Sequence, residues 1–126
     1  MSRYYALVLV PEGTPKETAC DAALDLLYPY MRTEQETAKD FKFDYMLDPE
    51  DIAALSDDES TQNIWPVREI IDQLAQLEVE AIVTPDGTWH ETQAGQLWDD
   101  ESWLKRALCV LQQHRESLAL RHVLHV

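Results

Sequence analysis

The chain is predicted to fold as one α+β domain, and three observations lead there. Residues 3–10, RYYALVLV, are apolar in both alternating sets, as in a strand covered on both faces. The stretches after Thr14 and after Asp99 or Asp100 carry apolar residues at helical spacing. Residues 79–93 read as strand, turn and strand around a Pro-Asp-Gly bend. A chain of 126 residues suits a single domain that buries roughly two thirds of its unfolded surface.

In the first strand Tyr5, Leu7 and Leu9 face one way, and Tyr4, Ala6, Val8 and Val10 the other. Thr14 is placed to cap a helix, Pro15 suits its first turn, and Glu17 completes a capping box. Ala19, Ala23, Leu26 and Leu27 form the apolar face of that helix, and Pro29 ends it near Tyr28. Residues 32–47 leave two readings open. Phe41, Phe43 and Tyr45 alternate with Lys42 and Asp44 as in a short strand, yet the segment also suits an ordered loop. Asp48 as cap and Pro49 in the first turn open a short helix. SDDESTQN, 56–63, is a polar loop. Val67, Ile70, Ile71, Leu74 and Leu77 line the buried face of a further helix.

In TPDG, 84–87, Pro85 sets the bend and Asp-Gly supplies the positive φ angles of a tight turn. Trp98 and Trp103 staple the entry of the last helix, and Leu104, Ala107, Leu108 and Leu111 line its inner face. LALRHVLHV, 118–126, closes the chain as a strand. With residues 45–78 set aside as a helical insert, the order is βαββαβ, the ferredoxin-like plan. That plan implies an antiparallel sheet of about four strands with two helices on one face. The other face needs a cover, either the insert or a second copy of the chain in a homodimer.

Charge is uneven. The net charge is −14, and residues 33–104 hold nineteen Asp and Glu against Lys39, Lys42 and Arg68. Such a field repels nucleic acid and anionic membranes and attracts basic partners. The opening MSRYYALVLVPEG has too short an apolar run for a signal peptide, and no small-residue cleavage site follows it. No apolar run approaches the ~18–20 residues of a membrane span. A cytoplasmic protein is therefore expected, with Cys20 and Cys109 as reduced core thiols.

The segment VTPDGTWHE, 83–91, places His90 beside Glu91, but on a strand the two point apart. Trp89 and Glu91 share one face, and Thr88, His90 and Thr92 the other. His122 and His125 form H-x-x-H, a spacing that unites two ligands on a helix rather than on a strand. His122 falls in the row Leu118, Leu120, Leu124 and Val126, and reads as a partly buried, hydrogen-bonded histidine. His114 sits near the end of the last helix, where a cation is favoured. No phosphate loop, nucleophile elbow or EF-hand loop is present. No catalytic residue, cofactor or metal is assigned.

LLYPY at 26–30, FDY at 43–45 and VTPDGTWHE together resemble a diffuse group of small bacterial and phage-borne proteins whose activity is uncharacterised. In that group the FDY-type segment is often followed by a glycine-rich turn. Here MLDPED stands in its place, so a site built on those glycines is absent. The resemblance implies a bacterial or mobile-element origin.

Three functions compete. The first is a non-enzymatic interaction protein that docks on a basic protein, as inhibitors, immunity proteins and nucleic-acid mimics do. Its docking residues would be Asp48, Glu50, Asp51, Asp57, Asp58 and Glu59. The second is a small enzyme or small-molecule sensor with a pocket near Tyr45, Trp65, Trp89 and His90. The third is a structural or assembly component without a ligand.

Overall fold

β1 (Arg3–Leu9) runs through the middle of a sheet, which accounts for its two apolar faces. The computed structural model describes residues 3–31, 43, 45–49, 51–52, 63–91 and 101–125. On one side β1 pairs antiparallel with β6 (Leu118–His125), from Arg3↔His125 to Leu9↔Ala119. On its other side it pairs in parallel with β4 (Val79–Val83). The register shifts between Tyr5 and Ala6, so Glu80 stands unopposed in a bulge. β5 (Trp89–Glu91) lies antiparallel outside β4.

The free side of β6 carries two short strands end to end. β2 (Tyr45–Leu47) pairs with Val123–His125, and β3 (Ile64–Pro66) with Leu118–Leu120. The order is β2-β6-β1-β4-β5, with β3 also beside β6.

The α+β class holds, but the sheet is mixed and has six strands among the described residues, rather than being antiparallel with about four. The ferredoxin-like plan is a split βαβ, with a strand between the two that the first helix joins. Here β1 and β4 are direct neighbours. Burial explains the exchange. Val79, Ala81, Ile82 and Val83 are all buried, so β4 suits an interior position on both faces. The three residues of β5 are only partly covered or exposed, which suits an edge.

Helices cover both faces, which corrects the expectation of two helices on one. α1 (Lys16–Leu27) sets Ala19, Ala23 and Leu27 on Ala6, Val8, Val10, Ala81, Val83, Leu120 and Leu124. The opposite face presents Leu7, Leu9, Val79, Ile82 and Ala119. It is covered by α2 (Val67–Ile70), the 3-10 helix Ile71–Leu77 that continues it, and α3 (Glu101–Gln113). The insert therefore shares one face with the last helix, and β2 and β3 show that it is not wholly helical. Trp103 is fully buried beneath α3 and donates its Nε1–H to the Val79 carbonyl at 3.0 Å. Burying a side chain of this kind contributes roughly 1.5–3 kcal/mol or more.

Local chemistry departs from expectation at four places. Thr14 does not cap α1: Pro15 holds the cap position, and the Thr14 hydroxyl donates back to the Pro11 carbonyl at 2.6 Å. The helix over 67–77 tightens to 3-10 after one turn and ends at Glu78, which lies in the left-handed region at φ 55°. In the hairpin only Gly87 has positive φ, at 86°, so Asp86 keeps an ordinary turn conformation and Gly87 forms the bulge of a type I turn. Cys109 is exposed rather than in the core, because Trp103, Ala107 and Leu111 define the buried stripe of α3 and Cys109 lies off it.

Candidate functional site

At the edge where β2 joins β6, α1 passes close enough to leave a pocket of about 180 Å³. Its wall is made by Glu17, Cys20, Asp21 and Leu24 of α1, Met46 of β2, Asp48 just beyond it, and His122 of β6. The α1 residues recur at i, i+3, i+4 and i+7, one stripe of a helix, and flank the buried Ala19–Ala23 row. β6 alternates, so His122 shares its face with Leu120 and Leu124, toward α1.

Asp48 is held by the helix start that the sequence predicts. The Asp51 N–H donates to Asp48 Oδ1 at 2.8 Å, and the Asp48 N–H donates to Asp51 Oδ2 at 3.2 Å. This is a reciprocal capping box with aspartate at both ends. The Ile52 N–H closes the first turn on the Asp48 carbonyl at 3.0 Å. Both carboxylates act on His122 through their charge.

His122 is 1% exposed. Its Nδ1 lies 3.3 Å from the Leu120 carbonyl. A carbonyl can only accept, so Nδ1 carries the proton and Nε2 presents a lone pair. Nε2 is buried and has no partner among the described residues. Burial pushes the His122 pKa down to about 4, against the smaller opposing pull of the Leu120 carbonyl, Asp48 and Asp51. The imidazole is therefore neutral at pH 7. The expected partly buried, hydrogen-bonded histidine is thus fully buried and bonded at one nitrogen.

The other proposed residues do not gather. Trp65 lies on the α2–α3 face, where the Arg121 guanidinium sits 5.7 Å from its ring and 4.5 Å from that of Tyr5. Arg121 Nε also donates to Asn63 Oδ1 at 2.9 Å. Trp89 lies on the opposite face at the far edge of the sheet, tilted against Tyr30 with ring centroids 5.1 Å apart. His90 is opposite Ile82, on the other face from Trp89. Tyr45 is in β2 beside β6, away from the hairpin. Of the acidic set, Asp48 lines the pocket and Asp51 is bonded to Asp48, whereas Glu50, Asp57, Asp58 and Glu59 lie outside the described residues.

The hairpin is tied to α1's end instead. The Tyr30 hydroxyl donates to the Gly87 carbonyl. Thr84 donates its N–H to the Thr88 carbonyl at 3.0 Å, and its hydroxyl donates to Asp86. That hydroxyl bond, followed by the Thr88 N–H bond, holds the Asp86 carboxyl below the usual carboxylate range. The segments LLYPY and VTPDGTWHE thus meet in space through Tyr30, and Phe43 of FDY is buried in the same core.

Sequence reading placed Asp48 and the burial of His122 but missed Glu17, Cys20, Asp21, Leu24 and Met46 as partners. One signal was present. Glu17, Asp21 and Asp25 form a like-charged i, i+4, i+8 row with no basic residue three or four positions away, an arrangement that weakens a helix slightly. Among the described residues no group of His, Cys, Asp and Glu is placed to hold a metal ion. No protein-family model, curated protein or solved structure matches the chain.

Proposed function

We propose that the chain is a non-enzymatic acidic interaction protein that docks on a basic partner protein. One observation carries this reading. Glu17, Asp21 and Asp48 line one opening, with Asp51 bonded beside it and no Lys or Arg among the described residues of its wall. With a net charge of −14, the molecule attracts a positive surface over a Debye length of roughly 8–10 Å, which raises the association rate. The carboxylates stand in for phosphates, as in inhibitors, immunity proteins and nucleic-acid mimics, and the same field keeps nucleic acid away. The proposed setting is the cytoplasm of a bacterium or of a cell carrying a mobile element. The pocket expected around Tyr45, Trp65, Trp89 and His90 has less support, because Trp65 and Trp89 pack against different cores.

The test is capture from the native host at low salt, identification by mass spectrometry, and a salt titration with the purified pair. The expected partner is basic, and its affinity falls steeply as salt rises. A neutral or acidic partner, or an affinity indifferent to salt, overturns the reading.

A further inference from the structure

We infer that the pocket between α1 and the β2–β6 edge receives one arginine side chain, supplied by the basic partner, with its guanidinium between the carboxylates and His122 Nε2. This rests on the docking reading above and names the subsite and the residue it takes. Two independent features support it. The first is the wall itself, where Glu17, Asp21 and Asp48 accept hydrogen bonds and carry negative charge. The second is His122, 1% exposed, part of the same wall, and bearing a nitrogen without a partner among the described residues. A buried acceptor left unsatisfied costs roughly 1–3 kcal/mol, a debt that a donor arriving with a ligand removes.

The ligand's chemistry follows from the wall. With Nδ1 turned to the Leu120 carbonyl, His122 offers only a lone pair. Three carboxylates and a lone pair need donors and positive charge. An anion or a carbonyl ligand would meet repulsion from the three carboxylates and the lone pair. A volume of about 180 Å³ is below the roughly 300–1,000 Å³ of pockets for drug-sized molecules, and it suits a single long side chain. Leu24, on the rim, and Met46 supply apolar surface for the methylene stem. Arginine fits better than lysine because its planar fork of five donors can serve several acceptors at once, whereas an ammonium is a compact, strongly hydrated charge. A metal ion fits less well, since the described groups are not placed as a ligand set.

The experiment is a titration of the full chain with N-acetyl-arginine amide, followed through the imidazole nitrogen signals of His122. Acetyl-lysine amide and sodium chloride at equal ionic strength are the controls, and zinc chloride is tested alone. The expected result is a saturable shift of the His122 Nε2 signal with the arginine probe, weaker with lysine and absent with salt. In the Glu17→Gln/Asp21→Asn double variant, both changes on exposed positions of α1, the probe's affinity falls about tenfold or more. No shift with arginine, or one that salt reproduces, overturns the proposal. So does a chelator-reversible response to zinc alone with none to arginine. The isolated partner separates the two readings. Salt-sensitive binding that the double variant leaves unchanged removes the pocket and keeps docking, whereas salt-insensitive binding removes docking itself.

Discussion

His122 is a neutral imidazole built into the sheet, and that has a consequence for acid stability. Its folded pKa of about 4 lies below the unfolded value of roughly 6.5. Between those values the unfolded chain binds a proton and the folded chain does not. Stability from this group is therefore full above the unfolded value and falls as pH drops toward 4. The expected loss is about 2 kcal/mol between pH 7 and pH 5. Urea unfolding of wild type and His122→Gln at both pH values measures it. Equal pH dependence in the two proteins would show that another group is responsible. Glu78 offers a second test, because its φ of 55° is one that side chains with a Cβ adopt at a cost. Glu78→Gly should raise stability by up to about 1 kcal/mol through relief of that conformation, and a fall in melting temperature would contradict it.

The hairpin between β4 and β5 shows how far an element can be read from its residues. TPDG specified a turn, and the alternation of Trp89, His90 and Glu91 specified their faces, because both depend on neighbours in the chain. Gly87 has open space where a Cβ would stand, so the cost of Gly87→Val comes from φ 86° alone. The expected loss is about 1 kcal/mol or more, while His90→Ala keeps the fold. Thermal unfolding of both variants decides it, and an unchanged melting point for Gly87→Val would remove the turn argument. Thr14 shows the limit of the same logic. Its pattern satisfied a capping box, but its hydroxyl found the Pro11 carbonyl first. β2 and β3 were harder still. Each has three residues, too few for a pattern, and both are fixed by pairing with a strand far along the sequence.

Across the whole molecule, the α+β class was legible because burial on both faces of β1 demanded layers above and below it. The strand order was not, since it depends on which strand wins the second edge of β1. The pocket was half legible: Met46 of β2, Asp48 just beyond it, His122 of β6 and an α1 stripe meet only after the sheet has assembled. The acidity is concentrated in residues 33–104 but its field acts through the whole molecule, and its test belongs at that scale. Asp57, Asp58 and Glu59 changed together to Ser should leave stability level or raise it slightly, because like charges repel. Partner affinity should fall and its salt dependence should weaken. Binding of wild type and triple variant at low and physiological salt measures both. Identical affinity and slope would take residues 57–59 out of the interface.

β6 joins β1 on one side and both β2 and β3 on the other, yet it follows all of them in the chain. During synthesis the ribosome delivers every partner before it delivers the strand that unites them. Arg3 and His125 become neighbours only across nearly the full sequence, and pairings of this kind raise contact order and slow folding. Until residues 118–125 emerge, one edge of β1 has no strand to pair with, and exposed strand edges of this kind favour aggregation over folding.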